Sequence, residues 1–486
     1  MTRHRSLVVV VFALPLSLLW DMLLWLRQLI VFWMQSAPYQ HPERVRRVAA
    51  QVKARPKGMR MCTGRPGWQS MSLSYRDCKF AITPPARFVG MSQLLAGGSR
   101  PWRVQHASAA LLPCSPGRVP SLVCSPSRGA CTDKSTSHRV TTICEMIDIV
   151  SIDLDSAQPT MTVEPLVTCG QLTHALLSLG YTLAVVPEMD DLTVGGLVNG
   201  TGIESSSHRH GLFHEQCVAF EVCLADGTVV LASEDDHAEL FHAIPWSYGT
   251  LGLLLSVTLK ITRCKPLVEL TYYPYTDKAA ALGHFARLSE AGDEAPDFVE
   301  ALAFSATDYV VMKGMQVDRA DTRRGNINTI SRWYKPWFFK HVEAKLRDGG
   351  KPSVEFLPLR DYYHRHTRSM FWEMELMLPI GNQPLARFLF GWALPPKVSF
   401  LKLTQSEMTR RLTQQTHVAQ DFMLPMDELP GLMELCDEVY DKLYPVWLCP
   451  HAHRPMPGTI MPDPPKPGAD GSQMYVDVGV CTRRAL

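Results

Sequence analysis

The stretch with the clearest chemical potential is Thr193-Val194-Gly195-Gly196-Leu197-Val198-Asn199-Gly200-Thr201-Gly202-Ile203-Glu204-Ser205, in which the glycines are flanked mainly by small or apolar side chains. Glycines at this density let a backbone take positive φ and lie directly against a ligand. Successive N–H groups of such a loop form a concavity that suits a pyrophosphate. No G-x-G-x-x-G sits between a strand and a helix here, and no G-x-x-x-x-G-K-[ST] is present, so neither common nucleotide fingerprint applies. A tight turn packed under a sheet is the alternative reading. His364, His366, His451 and His453 are possible metal ligands by type, but no cysteine or carboxylate spacing completes a set, so no metal is expected.

The loop is followed in order by His208-Arg-His-Gly211, a strand-like Val218 to Ala225, the hairpin signal Asp226-Gly227, and Thr228 to Leu231. Further on come Pro245-Trp-Ser-Tyr-Gly-Thr-Leu-Gly252 and a strand at Ser256 to Ile261. This succession resembles the FAD-binding domain of the p-cresol methylhydroxylase/vanillyl-alcohol oxidase superfamily. The phrases P-E-M-D-D-L-T-V-G-G, T-G-I-E-S-S-S-H and P-W-S-Y-G-T-L-G are similar to those of the delta-24-sterol reductase family.

The resemblance implies an α+β fold: a two-part FAD-binding domain of the vanillyl-alcohol oxidase type, then an α+β substrate-covering domain. It implies non-covalent FAD held by Thr193 to Ser205, NADPH as reductant, and reduction of the side-chain delta-24 double bond of a desmosterol-like sterol in sterol biosynthesis. It also places a first phosphate-holding loop at Gly64, Arg65 and Gly67, where Trp68 follows and no histidine stands ready to bond the flavin. Reduction of an isolated alkene needs a proton as well as a hydride, so a protonated general acid is required. His208, just past the loop, and His364, in an aromatic and basic block, are the candidates, each with a structural role as its alternative. A flavin oxidase of an alcohol or sugar lactone is the rival enzyme, and a catalytically silent, membrane-anchored binding protein is the rival outside catalysis.

The elements that must position these residues follow from the rest of the chain. Its 486 residues allow two or three domains with sizeable cores. A net charge of +2 gives no case for nucleic acid, and the thirteen cysteines lack regular spacing, which favours free thiols in a reducing compartment. Residues 1–38 hold a long apolar run through Leu26, interrupted at Asp21, and are expected to form a signal anchor. Arg44, Arg46, Arg47, Lys53, Arg55, Lys57 and Arg60 outnumber the basic residues ahead of it. The positive-inside rule therefore expects a single-pass protein of the endoplasmic reticulum membrane with a cytosolic body.

Residues 39–265 are expected to form the FAD-binding domain, opening on a basic amphipathic helix with Val45, Val48, Ala49 and Val52 on one face. Within it, residues 80–137 break the pattern. They are rich in Ser, Pro, Gly, Ala and Arg, and read as an inserted, unfolded segment. Residues 266–486 are expected to form the substrate-covering domain, in β-α-β-β order at its start, with aromatic blocks suited to a hydrocarbon pocket or a membrane-facing surface. The family pattern runs through Tyr475 to Gly479; the resemblance implies a further segment beyond it, so this domain is expected to be truncated. The oligomeric state is left open.

Overall fold

The computed structural model describes residues 14–64, 138–395, 417–439, 444–455 and 463–483, apart from Ala291, Asp293, Glu294 and Asp348. The expected insertion at 80–137, and Arg65 and Gly67, lie outside the described residues.

The first half of the chain forms β1 (Met61–Thr63), β2 (His138–Val140), β3 (Ile149–Asp153), β4 (Thr160–Val163), β5 (Tyr181–Thr182), β6 (Cys217–Cys223), β7 (Val229–Ser233), β8 (Leu253–Lys260) and β9 (Thr262–Arg263). An antiparallel five-stranded sheet runs in the order β3-β4-β8-β6-β7, while β1 and β2 pair in parallel and β5 pairs with β9. The Asp-Gly signal is realised: Gly227 sits at φ +84°, turning β6 into β7. The Cys169–Leu177 helix starts on a capping box between Thr168 and Gln171, and Gly180, at φ +77°, turns the chain into β5. The amphipathic helix runs His41–Lys53 and sinks Val45, Val48 and Val52 into a cluster with Met61, Val140, Ile143 and Leu255.

The second half supplies β10 (Leu267–Tyr275), β11 (Phe298–Ala303), β12 (Tyr309–Val317), β13 (Ser353–Pro358), β14 (His417–Pro425), β15 (Val446–His453) and β16 (Gln473–Arg483). They pair antiparallel in the order β13-β10-β12-β11-β15-β16-β14. Side chains alternate across this sheet. Val299, Ala301, Leu448, Val476 and Val478 face the helices Lys278–Ser289 and Leu429–Val439. Phe298, Leu302, Trp447 and Cys449 face the first half and share one core with Val163, Phe213 and Phe220.

β16 runs on past the family-like Tyr475 to Gly479: Val480, Cys481, Thr482 and Arg483 continue the ladder opposite Gln420, Ala419, Val418 and His417. A strand needs only a neighbour with free backbone groups, and β14 provides one. At the other end, a 22-residue helix, Leu14–Gln35, occupies the expected anchor. Among the described residues no helix is long and apolar enough to cross a membrane.

Candidate active site

The glycine-rich stretch folds around a short helix, Val194–Asn199, with Thr193 at its N-cap. Positive φ was the expected reason for its glycines, yet none of Gly195, Gly196, Gly200 and Gly202 is among the positive-φ residues. Close packing explains two of them. A Cβ on Gly195 would lie 2.8 Å from Pro165 Cβ, and one on Gly202 would lie 2.8 Å from Phe213 Cβ and 3.0 Å from Leu197 Cδ2. Gly196 is different: it is exposed, and only Thr193 Oγ1 lies near the place of a Cβ. The Pro245–Gly252 phrase closes over the helix end, where the Trp246 and Tyr248 amides donate to the carbonyls of Val198 and Asn199. Trp246 and Tyr248 hold φ of 64° and 53° to do so, a strained backbone of the kind that functional loops retain.

After Gly202 the chain passes into the joint between the two sheets. Glu204 and Ser205 are fully buried. Arg365 reaches in from the turn after the Leu359–Tyr363 helix and pairs with Glu204 Oε1 at 2.7 Å and with Glu300 Oε2 of β11 at 2.7 Å. Its Nε donates to Glu300 Oε1 at 2.8 Å, and Trp447 Nε1 donates to Glu300 Oε2 at 2.9 Å. The Arg365 guanidinium also lies 4.3 Å from the Tyr362 ring centroid, and the Tyr362 hydroxyl meets Ser205 Oγ at 2.9 Å. Burial works to raise both carboxyls. At Glu300 the facing Arg365 and the neighbouring His366 overcome it and carry the group down to about 2, whereas Glu204 remains raised. One guanidinium shared by two buried carboxylates cannot fully neutralise both. Burial, and then the nearby Glu204, push the Glu188 carboxyl up to about 8. Burial also drives Asp477 of β16 well above the usual range, with Asp421 and Glu188 adding to it.

His366 stacks on Phe371 with ring centroids 4.3 Å apart, and Phe371 lies 5.3 Å from Trp447. Met370 and Phe371 adopt φ of 43° and 59° to make that turn. With Tyr362 and Phe298 4.7 Å apart, these rings give the seam an apolar wall beside its charges.

The two candidate acids occupy different places. His208 is fully buried, with its ring nitrogens 3.0 Å from the Ser205 carbonyl and 2.9 Å from that of Pro296. Burial lowers it to about 4, so at neutral pH its single ring proton is committed to a main-chain carbonyl and it ties the two halves together. His364 sits between Thr173 Oγ1, at 2.8 Å from Nε2, and Asp190 Oδ1, at 2.6 Å from Nδ1. Gly64 lies in the turn after β1, its amide donating to the Val140 carbonyl. Glu188, Glu300, Arg365 and Asp477 were not singled out from sequence. Glu188 stands in one of the family phrases, and Arg365 in the aromatic and basic block, which were the available signals.

The residues present fit FAD. Thr201 Oγ1, Trp246 Nε1, Glu204 Oε2, Ser369 Oγ and Asp477 Oδ1 are buried without a hydrogen-bond partner. Such atoms are costly unless something satisfies them, and these belong to the loop and to the joint beyond it. The comparisons agree. An FAD-binding-domain family profile matches residues 127–233. The chain is 38% identical over 482 residues to the Delta(24)-sterol reductase of Homo sapiens, covering 98% of this chain and 80% of that protein. It is 36% identical to the Delta(24)-sterol reductase homolog of Caenorhabditis elegans over 494 residues, 99% of this chain and 81% of that protein. Against the Delta(24)-sterol reductase of Pisum sativum it is 43% identical over 348 residues, 68% of this chain and 61% of that protein. A shorter match, 35% over 154 residues, joins it to the L-gulonolactone oxidase of Mus musculus. A carbon–carbon double-bond oxidoreductase with an FAD-binding domain, this chain belongs to the delta(24)-sterol reductase family.

Proposed function

We propose that this chain reduces the side-chain delta-24 double bond of a desmosterol-like sterol, with non-covalent FAD as cofactor and NADPH as reductant. The observation that carries this reading is the buried Glu204–Arg365–Glu300 bridge, which clamps the FAD-type loop onto an aromatic wall of the second sheet. FAD, when bound, supplies the hydride chemistry. The chain's own residues do the rest. The Thr193–Ser205 stretch, with Gly196 open to the outside and Thr201 unpartnered, holds the cofactor's polar groups. The aromatic wall takes the hydrocarbon, and the closed seam keeps water from the reacting carbons. A proton must reach the other alkene carbon. We assign it to His364, paired with Asp190, or to Glu188, whose carboxyl is protonated at neutral pH. The body is proposed to stand on the cytosolic face of the endoplasmic reticulum membrane.

The test is spectroscopic first. Purified full-length protein should show flavin absorbance, bleach with NADPH under nitrogen, and reduce desmosterol as read by mass spectrometry. A flavin that ignores NADPH but is reduced by an alcohol or lactone would instead establish the oxidase. His364→Gln and Glu188→Gln then divide the proton donor: the true donor's variant keeps NADPH bleaching but loses sterol turnover.

A further inference from the structure

On the inward face of the second sheet, β14, β15 and β16 carry acidic groups that the Arg365 bridge does not use. Asp477 of β16 pairs in register with Cys449 of β15 on one side and with Met423 of β14 on the other. Two residues further along is Gly479, paired with Trp447 and with Asp421. Asp421 Oδ1 lies over that glycine, 3.4 Å from where a Cβ would stand. Residues two apart on a strand share a face, and diagonal neighbours across an antiparallel pair come within reach of each other's side chains. Asp421 and Asp477 are such neighbours. Asp477 is 1% exposed and its Oδ1 has no hydrogen-bond partner, whereas Asp421 is open to the outside.

Glu188 approaches the same group from the first half. It is half-buried, and the Thr367 hydroxyl donates to its main-chain carbonyl at 3.3 Å, which ties it to the turn that carries His366 and Phe371. Cys449 lies among these carboxyls. Burial, and then Glu204, Asp477, Glu300 and Glu188, drive its thiol well above the usual range, so it stays neutral. The charged groups around the cluster are thus Glu204, Glu300 and their shared Arg365. Carboxyls this close cannot all ionise and must share protons. Burial first, then Asp421 and Glu188, raise Asp477; burial first, then Glu204, raises Glu188.

We infer that Asp421, Asp477 and Glu188 form a proton relay that runs from solvent to the reacting alkene, with Glu188 as the donor. The relay rests on the sterol-reductase reading and selects Glu188 over His364. The Glu188 O–H bond breaks as the alkene π pair takes its proton, and the hydride derived from NADPH fills the carbon left electron-deficient. Glu188, now a carboxylate, takes its next proton from Asp477, and Asp477 takes one from Asp421, which water reprotonates. A buried, unpartnered carboxyl beside two others is costly as structure alone. Handing on a proton gives it a use.

Each member is replaced by its amide, which matches a protonated carboxyl in shape but has no acidic proton. Infrared spectra of the protein without substrate, in water and in heavy water, should lose part of the protonated-carboxyl band in Asp477→Asn and in Glu188→Gln. All three variants should bleach with NADPH at the parent rate. Glu188→Gln should slow the first sterol turnover at least about 100-fold. Asp477→Asn and Asp421→Asn should form the first product per flavin at the parent rate and then slow roughly tenfold, because a loaded Glu188 discharges once and refills slowly. Asp421 is exposed, so an effect of its variant is not a matter of misfolding. A lesion that merely loosened the joint would slow the first turnover as much as the later ones, and that result overturns the relay. So does an unchanged steady state in both asparagine variants, or a first turnover that survives Glu188→Gln. A parent that bleaches with NADPH but leaves desmosterol untouched overturns the sterol reading and, with it, the relay's end point, whatever the infrared band shows.

Discussion

Gly196 and Gly202 stand six residues apart in one loop and should respond to the same substitution in opposite ways. Valine at 202 meets Phe213, Leu197 and Pro187 at 2.8, 3.0 and 3.2 Å, so the fold itself must shift; overpacking of this kind costs about 1–3 kcal/mol. Valine at 196 meets only Thr193 Oγ1, at 3.2 Å. Gly196→Val should therefore melt within about 1 kcal/mol of the parent, since an exposed helical position tolerates it, yet retain less FAD. A melting curve and the flavin-to-protein absorbance ratio separate the two effects. If Gly196→Val holds FAD at the parent ratio, that face does not lie on the cofactor. Arg365 shows the other extreme. Arg365→Met strands Glu204 and Glu300 without their shared cation and should cost about 3–5 kcal/mol, read by urea denaturation. Arg365→Lys should recover only part of it, because an ammonium cannot replace the fork held by two carboxylates and the Tyr362 carbonyl. A loss below about 1 kcal/mol for the methionine variant would show that the bridge contributes little.

The His41–Lys53 helix is held by charges as well as valines. His41 Nδ1 and Nε2 lie 2.8 Å from Glu164 and from Glu221, and Arg44 bridges Asp148 and Glu164 at 2.7 and 2.8 Å. Burial lowers the His41 pKa, but the two carboxylates outweigh it and lift the imidazole to about 9. The folded protein thus holds a proton that the unfolded chain releases near pH 6.5. This stabilisation is complete below that pH and fades as pH rises through 9, amounting to at most about 3 kcal/mol. The melting temperature should fall between pH 6.5 and 9, and His41→Gln should flatten that fall while costing most at pH 6; an equal slope in both proteins would remove His41 from the account. Much at this scale was legible beforehand. The valine spacing gave the helix, Asp226-Gly227 gave the β6–β7 turn, and the expected β-α-β-β order is that of β10, the Lys278–Ser289 helix, β11 and β12. What could not be read was long-range. Nothing in the sequence neighbourhood of Arg365 says that Glu204, far away in the chain, is its partner. The glycine pattern looked the same whether it served positive φ or close packing.

At the scale of the whole chain the two halves fold as one body, because the joint uses every kind of contact. The Val299 amide donates to the Ser205 carbonyl at 2.8 Å, Arg209 pairs with Asp297 at 2.9 Å, and Arg454 with Glu215 at 2.6 Å. Beneath them one apolar cluster runs without a break from Val163 and Phe220 through Phe298 to Trp447. Domains joined by small polar interfaces unfold separately, whereas a shared core ties their stabilities together. Calorimetry should accordingly show a single main transition. FAD binds only the folded joint, so it should raise that transition as a whole: at a hundredfold excess over Kd the gain is about 2.7 kcal/mol. Arg365→Met, which opens the seam while leaving both sheets intact, should split the single peak into two and confine the FAD-dependent shift to one of them. Two resolved transitions in the unaltered protein, with FAD moving only the lower or the upper, would mean that the two sheets are energetically independent and that the Glu204–Arg365–Glu300 bridge does not couple them.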